Sequence, residues 1–291
     1  MCLAPASELR PMGLRRNGSQ GLFPFGFNSG VYVTVVRCQI CGLIFSSPRP
    51  EPNDIGQNYD VEPLSYFSEN QASTESSVDL GQFKQLKSYL SQFEEPLLAL
   101  DIGTGTGLNL LKLNAEGFHV TGVEASRSFY SQALINTKDI DVILINDSIE
   151  KVEFAAETFH LVIMSAVLEH FYEPDKVLRK VSQILKPGGI VFIEVPNSEW
   201  LLGRLLNTYH KLIFSRLVTN LSPMHKPFHL YEFSLKSFQY YLQRTGDFAI
   251  EKHEYLPGEL SLLGRLINRV FRPILSLSRN GVDLLMVLRK Q

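Results

Sequence analysis

The stretch Leu97-Leu98-Ala99-Leu100-Asp101-Ile102-Gly103-Thr104-Gly105-Thr106-Gly107 decides the fold. An apolar run ends at an acid and enters a turn of alternating glycines. The run has the length and make-up of a strand buried on both faces. Glycines bend the chain sharply and let backbone amides approach a ligand with no Cβ in the way. Leu108 to Leu113 continues at helical spacing, so the turn opens onto a helix N-terminus and its partial positive charge. The pattern is G-x-G-x-G, with Leu108 where a dinucleotide fingerprint has its third glycine. That spacing argues against a pyrophosphate site, and so against an NAD-dependent oxidoreductase.

The following sequence repeats the strand–helix unit. Gly117-Phe118-His119-Val120-Thr121-Gly122-Val123 reads as a second strand ending at Glu124-Ala125, with Ser126 as the N-cap of a helix through Ile135. An acid roughly twenty residues past such a turn is placed to accept from both hydroxyls of a ribose. Val142 to Ile145 is a third strand running into Asn146-Asp147-Ser148-Ile149, and Leu161 to Ser165 a fourth running into Ala166-Val167-Leu168-Glu169-His170. A helix from Pro174 to Leu185 is closed by Lys186-Pro187-Gly188-Gly189, and a fifth strand, Ile190 to Val195, ends at Pro196-Asn197. Strands alternating with helices imply a parallel sheet whose ligand lies at the carboxyl ends of the strands. Asp101, Glu124, Asp147, His170 and Asn197 all fall at such ends.

The order LALDIGTGTG, VTGVEAS, NDSIE, FHLVIMSAVLEH and LKPGGIVFIEVPN resembles the class I S-adenosylmethionine (AdoMet)-dependent methyltransferases over roughly residues 80 to 255. The resemblance implies an α/β fold: a Rossmann-like doubly wound sheet, mostly parallel, with an antiparallel last strand near Leu284 to Leu288. Helical insertions and a small N-terminal β segment are expected beside it. It implies S-adenosyl-L-methionine as cofactor. Asp101, Gly103, Thr104, Gly105 and Gly107 would line its methionine and ribose side, and Glu124 with Ala125 would hold the ribose. Asp147 would accept from the adenine amino group, the backbone of Ser148 and Ile149 closing that edge. Ser165 to Leu168 would pass the methionine end. His170 is the candidate general base for an acceptor hydroxyl, its ordinary pKa of about 6.5 suiting that work. A structural histidine is the alternative.

The flanks carry other signals. Residues 1–30 are rich in Gly, Pro and Ser and read as disordered; Arg10, Arg15 and Arg16 leave an organellar transit peptide as an alternative. Cys38-Gln39-Ile40-Cys41-Gly42 has the spacing of one zinc-ribbon knuckle, and residues 31–60 are similar to the N-terminal ribbon of one group of methyltransferases. The other knuckle is missing and Cys2 is the one remaining cysteine, so no bound metal is expected. The methyltransferase domain is placed at 75–291, with acceptor-side insertions at about 198–234 and 257–280. Glu199 to Leu221 reads as one or two amphipathic helices, and Leu235 to Thr245 as another. His225, His229 and Tyr231, between them, are candidate substrate residues. Gly258 to Ser278 is apolar and basic, fit to cap the site, to make a protein contact or to lie on a membrane surface.

Composition narrows the class. The 291 residues carry 28 Lys and Arg against 30 Asp and Glu, a net charge of -2, so no basic field draws in nucleic acid. Three cysteines exclude a disulfide framework and fit a reducing, cytoplasmic setting. No apolar run reaches the roughly 18 residues of a membrane span. The sequence therefore describes an enzyme that methylates a small-molecule, glycan or lipid-precursor acceptor, most simply at oxygen. A catalytically silent relative acting through partners is the alternative.

Overall fold

The computed structural model of the chain describes residues 2, 4–16, 32–49, 80–223, 228–256 and 280–291. Three strands come first: β1 (Leu9–Arg16), β2 (Tyr32–Cys38) and β3 (Ile44–Ser46). Then follow α1 (Leu80–Ser88), β4 (Leu97–Ile102), α2 (Leu108–Ala115), β5 (Phe118–Val123), α3 (Arg127–Asn136), β6 (Val142–Ile145) and β7 (Phe159–Ser165). A 3-10 turn, Leu168–His170, leads to α4 (Pro174–Ile184), β8 (Leu185–Pro196), α5 (Leu201–Leu212), β9 (Tyr231–Glu232) and α6 (Leu235–Thr245). The described chain ends with β10 (Phe248–Leu256) and β11 (Asp283–Lys290).

Seven strands form the main sheet in the order β10-β11-β8-β7-β4-β5-β6. The β8-β7-β4-β5-β6 portion is parallel, and β11 lies antiparallel between β8 and β10. The antiparallel last strand thus falls where the sequence places it. Alternate residues of the central strands go to opposite faces. Val162, Met164, Val191 and Ile193 pack with α4 and α6 residues such as Val177, Val181 and Phe238. Leu161, Ile163, Ile190 and Phe192 pack with Phe83 and Leu86 of α1 and Leu110 and Leu113 of α2. Burial on both faces explains the near-continuous apolar runs. The chain leaves β4 toward β5 on one side while β7 enters on the other, which opens a crevice at the carboxyl ends of β4 and β7.

Two expectations are corrected. Residues 1–30 are not uniformly without structure: Leu9–Arg16 is a strand paired antiparallel with β2, and Leu14 also exchanges hydrogen bonds with Arg216 and Val218. Met12 packs on Val35, Ile44, Val218 and Leu221, so a hydrophobic anchor outweighs the local Gly and Pro content. The small N-terminal β segment is present, and β9 joins it to complete the sheet β1-β2-β3-β9. Residues 198–234 supply that closing strand. Finally, α4 stops at Ile184 and β8 begins at once, taking Lys186 to Gly189 into the strand; Leu185 pairs with Phe159, and Gly188 adopts a φ of 77°. The proline and glycines shape an irregular strand start rather than a loop. Glu199 to Leu221 contains one helix, α5, followed by irregular chain.

Candidate active site

The crevice is lined by the residues at the strand ends. Asp101 is 1% exposed; its Oδ2 accepts from Thr104 Oγ1 (2.9 Å), and its Oδ1 has no hydrogen-bond partner. Burial pushes the Asp101 carboxyl up to about 7, the Thr104 and Asn109 side chains opposing through hydrogen bonds and the neighbouring Glu124 charge adding to the rise. Glu124, also buried, accepts from Gly105 N through Oε2 and from Ser126 N through Oε1, both at 2.8 Å. It fastens the tip of the glycine turn to the start of α3. Burial raises its pKa against those amide donors. Asn146 Nδ2 donates to Glu124 O (2.8 Å) and braces the same strand end.

The turn glycines divide by what surrounds them. A Cβ on Gly107 (φ 83°) would lie 3.0 Å from Thr137 Cγ2 and 3.3 Å from Ala133 Cβ, so this glycine permits α2 to pack against α3. One on Gly103 would meet Val167 Cγ2 at 2.7 Å. A Cβ on Gly105 (φ 56°) would have no neighbour within 4 Å. Gly105 is thus the position where the backbone borders open space, with its amide nitrogen on Glu124.

The adenine-side residues are arranged differently. Asp147 Oδ1 accepts from Ser148 N (2.8 Å), with the carboxylate about half exposed. Ile149 is buried in the core. Ala125 is exposed beside Glu124. Ser165 Oγ is committed to Glu194 Oε2 (2.7 Å).

A second cluster stands beyond β7. Glu169 is fully buried, and neither carboxylate oxygen has a hydrogen-bond partner. Its Oε1 lies 3.9 Å from His170 Nε2 and 3.7 Å from His229 Nε2. The two imidazoles meet edge to face, centroids 5.1 Å apart. Burial pushes Glu169 up to about 8, with the Asp283 and Glu194 charges adding to it. Burial drives His170 the other way, down to about 4, so its imidazole is neutral near pH 7. Leu230 N donates to Glu169 O (3.0 Å) and His170 Nδ1 lies 3.4 Å from Phe228 O, clipping His229 into place. The structure thus joins His170 and His229, which are 59 positions apart, around an acid the sequence reading gave no role.

Tyr231 does not stand open as a substrate group. Its hydroxyl donates to Tyr172 O (3.1 Å) and accepts from Arg49 Nη1, and the Arg49 guanidinium lies 4.8 Å from the Tyr172 ring centroid. Arg49 therefore latches the N-terminal sheet onto the chain just past the 3-10 turn. His225 lies outside the described residues.

Among the described residues, two groups have donor sets able to hold a metal ion: Glu169, His170 and His229, and Cys2, Cys38 and Cys41, the ligand atoms of each group lying within 4.8 Å of one another. Cys41 N also donates to Cys38 Sγ (3.4 Å). Cys2, which the spacing argument set aside, thus lies beside the knuckle.

A family model described as a methyltransferase domain matches residues 79–251. The chain belongs to this methyltransferase-domain family. Among curated relatives it is similar to a ubiquinone biosynthesis O-methyltransferase of Rickettsia typhi, 26% identical over 60% of this chain and 78% of that one. A protein of the same description from Aeromonas salmonicida is 32% identical over 34% of this chain and 42% of that one, so the chain spans less than half the length of that relative. Among solved structures, an S-adenosylmethionine-dependent methyltransferase from Mesorhizobium loti aligns at a TM-score of 0.50 and 19% identity, covering 72% of this chain and 98% of that one. The [4+2]-cyclase SpnF aligns at 0.54 and 16%, covering 83% and 98%. At such identity these two share the fold of the methyltransferase domain, and the cyclase is a reminder that chemistry must be argued from the site.

Proposed function

We propose that this methyltransferase domain transfers the methyl group of AdoMet to an oxygen of a small-molecule acceptor, a glycan or lipid precursor included. The observation that carries the reading is the pairing at the strand ends: a buried Asp101 oxygen with no partner, next to a glycine turn held open by Glu124. AdoMet brings an ammonium, a ribose diol and a sulfonium but no phosphate. An unpartnered buried carboxylate suits the ammonium. The Glu124 oxygens, already ordered by two amides, can accept from the diol through their remaining lone pairs. Gly105 offers the close backbone approach. Asp147 stands at the end of β6 for the adenine amino group.

AdoMet supplies an electrophilic methyl on a positive sulfur; the protein's task is to orient and desolvate the acceptor and to take its proton. His170 is neutral and so in the proton-accepting form. The carboxyl of Glu169 stands 3.9 Å away, where its ionised form stabilises the imidazolium that results. His229 borders the same carboxylate and completes the proton-accepting group. Similarity to proteins named O-methyltransferases supports oxygen as the accepting atom. Tyr231 and Arg49 act as a brace behind this group rather than as substrate contacts.

The test is methyl transfer from labelled AdoMet to a panel of catechols, phenols and hydroxylated glycan or lipid precursors. Transfer to oxygen that falls on His170→Ala, with AdoMet affinity retained, supports the assignment. Full activity of that variant on its best acceptor would overturn it.

A further inference from the structure

We propose that α5 and the turn after it form a docking surface for an anionic lipid bilayer. The helix leaves the carboxyl end of β8 through Asn197, so it stands on the same rim as the active site. One of its faces is anchored. Gly203 is buried against Trp200, and Asn207 donates through Nδ2 to Asn220 Oδ1 (2.7 Å) and accepts through Oδ1 from Thr219 N (2.9 Å). The opposite face carries Leu205, Tyr209 and Leu212 at i, i+4 and i+7, continued by Ile213 and Phe214. All five are more than half exposed, and Phe214, at the protruding end with a φ of 56°, is 95% exposed. Monomeric proteins rarely leave such a contiguous apolar stripe on a helix without a partner.

Charge identifies the partner. Arg204, Lys211 and Arg216 flank the stripe and are exposed. From Trp200 to Tyr231 the sequence holds no Asp or Glu at all, although the chain as a whole has a net charge of -2. A convex apolar ridge rimmed by cations enters the boundary between headgroups and acyl chains, its basic side chains meeting lipid phosphates. The other occupants fit less well. A second copy would set cation against cation across a two-fold axis, and five side chains offer well under the roughly 800 Å² per partner of a stable interface. The chain's own residues 257–279 contain four Arg and one Glu, again the same sign.

Flotation of the full chain with vesicles tests this. One set is phosphatidylcholine alone, the other phosphatidylcholine with phosphatidylglycerol. The wild type is expected to float with the anionic vesicles at least about tenfold better than with the neutral ones, and less at high salt. Leu212→Ser with Phe214→Ser should reduce that binding at least about tenfold while leaving the melting temperature unchanged, because both side chains are exposed. Lys211→Glu with Arg216→Glu should reduce it while the stripe is intact. The proposal fails if the wild type does not float, or if it floats equally with both sets. It fails too if both double variants bind as the wild type does. Lipid-free self-association that the serine variant abolishes would assign the stripe to a second copy instead.

Discussion

Asp101 gives a prediction that needs no knowledge of the acceptor. Its carboxyl is 1% exposed, one oxygen lacks a hydrogen bond, and burial holds its pKa at about 7. Near pH 6 it is therefore about nine-tenths protonated in the free protein. An ammonium docked on it favours the ionised form, so Asp101 should contribute a release of roughly 0.9 proton to AdoMet binding at about pH 6 and roughly 0.1 at about pH 8, set against the uptake by AdoMet's own α-amino group, whose ordinary pKa is about 7.7–8.0. Calorimetric titrations in buffers of differing ionisation enthalpy measure the number directly. In Asp101→Asn that contribution should disappear, so the wild-type minus variant difference should be roughly 0.9 proton at about pH 6 and roughly 0.1 at about pH 8, and affinity near pH 8 should weaken by about 10- to 100-fold, the worth of a charge-assisted hydrogen bond of roughly 1.5–3 kcal/mol. Identical proton release in the Asn variant, or a wild-type minus variant difference that does not change between the two pH values, would refute the placement of the ammonium on Asp101.

The same burial makes the ligand-free protein pH-sensitive. The folded-state pKa of Asp101 lies above its ordinary value of 3.8, so its contribution to stability is present at low pH and lost as pH rises toward about 7. The loss approaches about 4 kcal/mol for a shift of that size, and Asp283 (about 7) and Glu169 (about 8) act in the same direction. Thermal melts should show a lower midpoint at about pH 8 than at about pH 5.5, with Asp101→Asn flattening the difference; a midpoint that rises over this range contradicts it. Turnover should climb with pH and level above about 8 as the Glu169 carboxyl ionises, and Glu169→Gln should remove that step from the kcat profile. An unaltered profile in the Gln variant would separate Glu169 from the proton transfer. The two glycines should part company: Gly107→Ala, strained and crowded by Thr137, should cost about 1–2 kcal/mol of stability, whereas Gly105→Ala, strained by its φ of 56° but with open space for the Cβ, should cost about 1 kcal/mol and also weaken AdoMet binding. Equal affinity losses in both would show that the loop acts only through its overall shape.

Much of the sheet is legible because burial on both faces writes itself as continuous apolar runs, and because each strand ends at a polar residue. Leu97 to Asp101 and Leu161 to Ser165 are such runs. The glycine turn announces a ligand, although only the structure separates Gly105, which borders open space, from Gly107, which serves helix packing. Local pattern fails where long-range pairing decides. Leu9–Arg16 becomes a strand because β2 and Val218 receive it, and Tyr231 and Glu232 close a sheet begun near the N-terminus. Glu169 carries no signal of its own beside the more suggestive His170. A buried acid has no special signature in one dimension, and its neighbour His229 arrives from an insertion. Arg49 was hidden for the same reason: its partners, Tyr172 and Tyr231, are brought to it by the fold.

The central claim is that the strand-end acids and the Gly105 turn bind AdoMet. Equilibrium titration of the purified chain with AdoMet, S-adenosylhomocysteine and NAD tests it most directly. The account predicts saturable binding of the first two and not of NAD, with Glu124→Ala weakening both, since that residue orders Gly105 N and is the proposed ribose acceptor. Binding of NAD in place of AdoMet, or AdoMet affinity indifferent to Glu124→Ala, would contradict it.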